Sequence, residues 1–165
     1  MKKQIFLCVL ILMNFVFSGC AQSSFIKKGN AFVSETSPGT QMVDDNGNPV
    51  AQLRITNYTA YVEFSGAEPE WRYAWYGKKM FTMVATKVEQ NKLEIGIDKH
   101  SGKKVFVEPA KGNQLWQLEL LPTEMYSKPP SNTKAGELLL EGIKSNKMFH
   151  FRIPKVVLLQ TPDAV

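Results

Sequence analysis

The chain has 165 residues, with 20 basic and 15 acidic side chains and a formal net charge of +5. This length suits one domain with an ordinary hydrophobic core, and the small positive excess is scattered, unlike the basic stripe of a nucleic-acid-binding protein. Both cysteines, Cys8 and Cys20, precede residue 21, which excludes a disulfide framework, a thiolate nucleophile and a cysteine metal site from the rest of the chain.

The N-terminus has the order of segments found in a secretory signal. Lys2 and Lys3 give it a positive start, and Ile5–Phe17 forms an apolar run interrupted only by Asn14. A membrane-spanning helix needs about 20 apolar residues, so this run is shorter than a bilayer requires. Two small residues and a cysteine then follow, in the stretch Phe17-Ser18-Gly19-Cys20.

A small pair followed directly by cysteine resembles the lipobox of bacterial lipoproteins. The resemblance implies that residues 1–19 are a signal peptide, that the chain is cut before Cys20, and that acyl chains such as palmitate are attached there. Ala21-Gln22 lacks the aspartate that tends to retain such proteins in the inner membrane, which implies an outer-membrane anchor facing the periplasm. A plain secretory signal and an uncleaved anchor are the alternatives for this stretch.

Residues 20–49 are predicted to comprise the lipidated cysteine and a flexible tether. Apolar residues occur there singly among polar ones, and Ser37-Pro38-Gly39 is a strong turn signal. A short strand near Ala31–Ser34 is the alternative for part of this segment. So little apolar surface does not offset the chain entropy that is lost on folding. Asp44–Asn48 has the composition of a calcium loop, but its spacing lacks the later glutamate, so we interpret it as a turn.

From Val50 onward the pattern changes, and we predict a β-domain over residues 50–165. Short stretches of alternating or continuous apolar residues are separated by turn residues at intervals typical of strands. The predicted strands include Tyr58–Phe64, Met80–Glu89, Leu93–Ile97, Val105–Val107, Leu115–Leu121, Leu138–Ile143, Met148–Ile153 and Val156–Leu159. This pattern predicts an all-β fold, a single small antiparallel β-sandwich or barrel.

The densest aromatic cluster is the stretch from Trp71 to Tyr76. In a regular strand Trp71, Tyr73 and Trp75 share one face, and a row of amphipathic rings can stack on a sugar, a peptide or a partner surface. The candidate binding residues are therefore Trp71, Arg72, Tyr73, Trp75 and Tyr76. The alternative is that these rings form the core of a small β-domain, in which at least one of the two tryptophans is buried.

The two histidines give no catalytic or metal motif. His100 lies in a predicted turn, and His150 lies between two phenylalanines of a strand. A pairing of either with Asp98 or Glu141 is conceivable, but neither has the spacing of a known hydrolase or metal motif. We therefore predict structural or solvated histidines, no catalytic residues, no metal and no cofactor.

The anchor, the tether and the missing motifs lead to three functional hypotheses. The first is a membrane-anchored envelope lipoprotein that acts as a non-catalytic interaction or assembly component, as in a secretion or conjugation machine. Its partners would be the membrane, through the N-terminal lipid, and a protein of the cell envelope, without nucleic acid. The second is a β-domain that binds a ligand, glycan or lipid through the aromatic row. The third is a hydrolase with a dispersed site.

Overall fold

The computed structural model describes residues 25–36, 43–48, 54–125 and 127–160. Within these ranges the chain forms ten β-strands and no helix, so they contain no helix that could span a membrane. The strands are β1 (Ile26–Thr36), β2 (Ile55–Phe64), β3 (Glu70–Tyr76), β4 (Lys79–Val88), β5 (Leu93–Ile97), β6 (Lys104–Val107), β7 (Gln114–Pro122), β8 (Leu138–Lys144), β9 (Lys147–Ile153) and β10 (Val156–Leu158).

Eight of these strands form one curled sheet, and the all-β prediction is confirmed. The strand order is β10-β1-β2-β7-β4-β3-β8-β9, while β5 and β6 form a separate two-stranded sheet. All neighbours in the large sheet are antiparallel except β1 and β10, which are parallel. The sheet is therefore mixed, where the sequence predicted an antiparallel one, and its curvature produces a half-barrel.

The two edges of the curled sheet are successive segments of one chain. β9 pairs with β8, and after Pro154 and Lys155 the chain continues as β10, which pairs with β1. The edges also approach each other at Gly29, where an added Cβ would lie 2.6 Å from Phe151 Cε1. Pro154 lies at this transition because proline cannot donate a hydrogen bond to a sheet.

The inner face of the curled sheet holds the main hydrophobic core. Alternate residues of the strands point inward, as the pleat of a β-strand requires. Tyr58, Ala60, Val62 and Phe64 on β2 form the inward set that the sequence predicted as one apolar face. Fully buried side chains in this core include Phe81, Leu118 and Leu140.

The outer face is covered in two separate places. The β5–β6 hairpin packs over Phe32, Tyr61 and Leu115 on the outer side of β1, β2 and β7. The tip of this hairpin is joined to the end of β10, since the Gln160 amide donates to the Ile97 carbonyl at 2.7 Å. The second cover is formed by described residues of the loop 123–137: the Ser127 carbonyl accepts a hydrogen bond from Trp75 on β3, and the Asn132 carbonyl accepts one from Arg152 on β9.

The predicted tether is wrong for residues 26–36, which form β1 in the sheet. β1 pairs with β2 from Ile26 to Thr36, apart from one irregularity near Lys28. Both of its faces are buried, with Ala31 pointing to the main core and Phe32 to the hairpin, so the sequence shows no clear alternation. The predicted turn at Asp44–Asn48 is present, and tether residues 20–24, 37–42 and 49 lie outside the described ranges.

Candidate functional site

The aromatic stretch on β3 is divided by a bulge at Arg72. Trp71 pairs with Gly142 and Tyr73 with Glu141, so one residue of β3 has no opposite number on β8. The extra residue reverses the alternation, as β-bulges do. Trp71 and Tyr76 therefore face the inner core, while Tyr73 and Trp75 face outward. The predicted single row of three rings is wrong.

Trp71 belongs to an aromatic cluster at one end of the half-barrel. Its ring lies 5.8 Å from that of Phe149 in an edge contact and 6.4 Å from that of Phe64. Its Nε1 atom is buried and has no hydrogen-bond partner among the described residues. A buried indole N–H normally has a partner, so this donor lowers the net stabilisation that the ring contributes.

A cleft opens beside Trp71 because β3 and β4 separate there. Their pairing ends at Tyr73 and Thr82, after which β3 follows β8 and β4 follows β7. The cleft has a volume of about 510 Å³ and is open to solvent. It is lined by Glu68, Pro69, Glu70, Trp71, Met83 and Ala85.

Trp75 is a core residue of the outer face. Only 3% of it is exposed, and it packs with Met80 and Leu139. Its Nε1 donates a hydrogen bond of 3.0 Å to the Ser127 carbonyl in the covering loop. The core interpretation of the aromatic stretch, with at least one of the tryptophans buried, is thus confirmed for Trp75.

The other three candidate residues lie at the borders of these cores. Arg72 is exposed and pairs with Glu70 at 2.9 Å, and this hydrogen bond raises the pKa of the guanidinium. Tyr73 is half-buried beside Trp75, with ring centroids 6.2 Å apart. Tyr76 is half-buried on the inner side, where its ring lies 5.9 Å from that of Tyr58. The five residues do not converge on one binding surface.

His150 pairs with Glu141 on the outer face, one of the two carboxylates considered from the sequence. Its Nε2 lies 3.0 Å from Glu141 Oε2, and Glu141 is buried. Tyr73, Glu141 and His150 form one cross-strand row over β3, β8 and β9. His100 lies instead in the exposed turn after β5, where its amide donates to Asp98. In the described ranges no three His, Cys, Asp or Glu side chains are grouped to hold a metal ion.

Between its two covers the outer face remains open, and apolar side chains are exposed there. Val84 on β4 is 49% exposed and Leu121 on β7 is 41% exposed. Their pairing partners are Glu119 and Thr82, so the four residues are neighbours on two adjacent strands. We call these four residues the open strip. Sequence reasoning missed it because Val84 and Leu121 each stand in a nearly continuous apolar run that does not reveal its outward members.

No protein-family model, curated protein or solved structure matches this chain.

Proposed function

We propose that this chain is a bacterial envelope lipoprotein, anchored through acyl chains on Cys20, whose β-domain binds another envelope protein without catalysing a reaction. The anchor is supported by the lipobox-like stretch Phe17-Ser18-Gly19-Cys20. Such a protein would be attached to the outer membrane and face the periplasm. The binding role is supported by the open strip, which is the observation that carries the proposal.

The chemistry of the open strip suits a protein interface. It combines two exposed aliphatic side chains with a threonine and a glutamate. Protein interfaces typically place apolar side chains at the centre and polar groups at the rim. The position of this sheet face between two covers also restricts the orientation in which a partner can bind.

The buried acidic groups support a non-catalytic role, since they are engaged in holding turns and strands. Glu63 accepts hydrogen bonds from the Ala110 amide and the Asn113 side chain, which fixes the turn before β7. Glu141 is paired with His150 across two neighbouring strands. Both carboxylates have structural partners and lie on the outer face, away from the cleft beside Trp71.

The anchor is tested by Cys20→Ser in a bacterial host that processes lipoproteins. We expect this variant to leave the membrane fraction or to accumulate as an uncleaved precursor, whereas Cys8→Ser should behave as the wild type. The mass of the N-terminal peptide of the mature wild type should include acyl chains. An unmodified Cys20 in native membranes would contradict the proposal.

The binding role is tested by capture from detergent-solubilised envelopes. We expect the wild type to retain a specific partner that the double variant Val84→Asp, Leu121→Asp loses. Phe106→Asp is the matched control, because Phe106 is an exposed apolar residue on the covering hairpin. Equal capture by all three folded proteins would exclude the open strip as the interface.

The cleft beside Trp71 favours ligand binding as a second candidate function. A volume of about 510 Å³ is sufficient for a small ligand, and an indole ring at its wall can stack on a sugar. Titration with glycan fragments should then change the tryptophan fluorescence, and Ala85→Phe should abolish the change by filling the cleft. An unchanged signal in the wild type would exclude this function for the ligands tested.

A further inference from the structure

The start of the described fold is held firmly at one end of the half-barrel. The Phe25 carbonyl accepts a hydrogen bond of 3.2 Å from the Ser65 amide. The Phe25 ring makes an edge contact with the Phe149 ring, with 5.0 Å between the ring centroids. The Lys144 ammonium lies 4.0 Å from the centre of the Phe25 ring. Phe25 is therefore attached both to the loop after β2 and to the β8–β9 hairpin.

Very little chain separates this point from the proposed lipid site. Cys20 precedes Phe25 by five residues, which span at most about 18 Å when fully extended. The ten residues of β2 alone extend over about 33 Å. The end of the half-barrel that holds Phe25 must then stay near the membrane, and the opposite end, at the β3–β4 turn with Lys78, is held away from it.

The β8–β9 hairpin at this end presents basic and apolar side chains to solvent. Its turn residues Ser145 and Asn146 have φ values of 51° and 59°, typical of a tight type I′ hairpin turn. Lys147 is exposed just after this turn, and Met148 is 62% exposed. Two acidic residues, Glu68 and Glu70, lie on the neighbouring segment, where Glu70 is paired with Arg72.

We propose that this end of the half-barrel, through the exposed side chains of Lys28, Lys147 and Met148, rests on the anionic headgroups of the bilayer in which the lipid on Cys20 is inserted. Lysine side chains near an anionic bilayer are attracted to it, and an exposed methionine can enter the interfacial layer. The proposal rests on the proposed lipidation of Cys20. It adds a fixed orientation, in which one defined end of the domain contacts lipid.

The orientation is tested on the full, processed chain reconstituted into phosphatidylcholine vesicles with and without phosphatidylglycerol. Met148→Cys and Lys78→Cys are each labelled with a polarity-sensitive fluorophore, and lipids that carry a quencher at the headgroup report contact. We expect several-fold stronger quenching at position 148 than at position 78. Lys147→Glu should weaken the quenching at position 148 in phosphatidylglycerol vesicles, whereas Lys78→Glu should not.

Mass spectrometry of the same samples separates this inference from the proposed function. If Cys20 is acylated and both labels are quenched equally, the orientation is wrong while the anchor stands. If Cys20 is acylated and the quenching at position 148 does not respond to phosphatidylglycerol or to Lys147→Glu, the role of the anionic headgroups is wrong. An unmodified Cys20 overturns both proposals, because the domain then has no lipid close to Phe25 that could hold it at the membrane. Thermal melts of the labelled variants confirm that each is folded.

Discussion

The two faces of the curled sheet are buried in different ways. The inner face is a continuous set of apolar side chains from the strands that surround it. The outer face has two smaller clusters, each under a separate segment that polar contacts hold in place, such as the bond from Trp75 to Ser127. The inner face therefore determines whether the domain folds, and the outer covers determine which part of its surface stays open.

The largest effect is expected from a cavity on the inner face. Phe81 is completely buried in the main core. Phe81→Ala should lower the free energy of unfolding by about 3–5 kcal/mol, as removal of a buried aromatic ring does elsewhere. Urea denaturation would measure this loss. A loss of unfolding free energy smaller than that of Trp75→Phe on the outer face would contradict this difference between the two faces.

An added methyl group at Gly142 tests how tightly the inner face is packed beside the bulge of β3. A Cβ on Gly142 would lie 2.7 Å from the Glu70 carbonyl oxygen, a backbone atom that cannot move freely. Gly142→Ala should cost about 1–3 kcal/mol of stability, the usual range for overpacking. Gly29→Ala is the matched control, because its close neighbours are the side chains of Phe151 and Ile153. We expect the control to have the higher thermal midpoint.

The two tryptophans of β3 allow a direct comparison between the faces. Trp75→Phe removes a hydrogen bond to the covering loop, whereas Trp71→Phe removes a buried donor that has no partner in the described part of the chain. Trp75→Phe should therefore be the more destabilising change by about 1 kcal/mol, the net contribution of one such bond. It should also speed proteolysis within residues 123–137. Equal stabilities and equal cleavage rates would show that the loop is held without this bond.

The smallest effect is expected at the tip of the β5–β6 hairpin, and it should depend on pH. The His100 amide donates to the Asp98 carboxylate and holds its pKa below the ordinary value of 3.8. A carboxyl group with a lowered pKa stabilises the fold above its unfolded value, and this contribution is lost as the pH falls through the folded value. Asp98→Ala should lower the thermal midpoint slightly at pH 7 and progressively less below about pH 3.8. Glu108→Ala, at an exposed site, is the control.

The strands from β2 onward were predictable because their apolar residues alternate or form short runs between turns. Tyr58–Phe64 shows this well, since its alternate residues do face the main core. For β1 the sequence suggested only a short strand near Ala31–Ser34, as an alternative to the tether. Gly29 lies against the side chains of Phe151 and Ile153 on β9, and Ala31 pairs with Val156 on β10. Phe32 is buried by a hairpin that follows about 60 residues later. Such burial depends on tertiary partners and leaves no local pattern.

The candidate site was only partly predictable for a similar reason. The residue types of the aromatic stretch indicated large buried or binding rings, and Trp75 is indeed buried. The bulge at Arg72 depends on the pairing of Trp71 with Gly142 on a distant strand, so the sequence of β3 alone did not reveal it. The glycine opposite a tryptophan was the available signal, because glycine within a strand often marks close approach of another backbone.

The connection of β9 to β10 has a consequence for the order of folding. The strands β9 and β10 form the two edges of the sheet, since β9 pairs with β8 and β10 pairs with part of β1. Until residues 147–158 have been synthesised, β1 and β8 each present an unpaired edge, and such edges readily pair with other chains. The pairing of β10 with β1 joins residues far apart in the sequence, and such long-range pairings slow folding. The unfinished domain should therefore be more prone to aggregation than the domain in which residues 147–158 are paired.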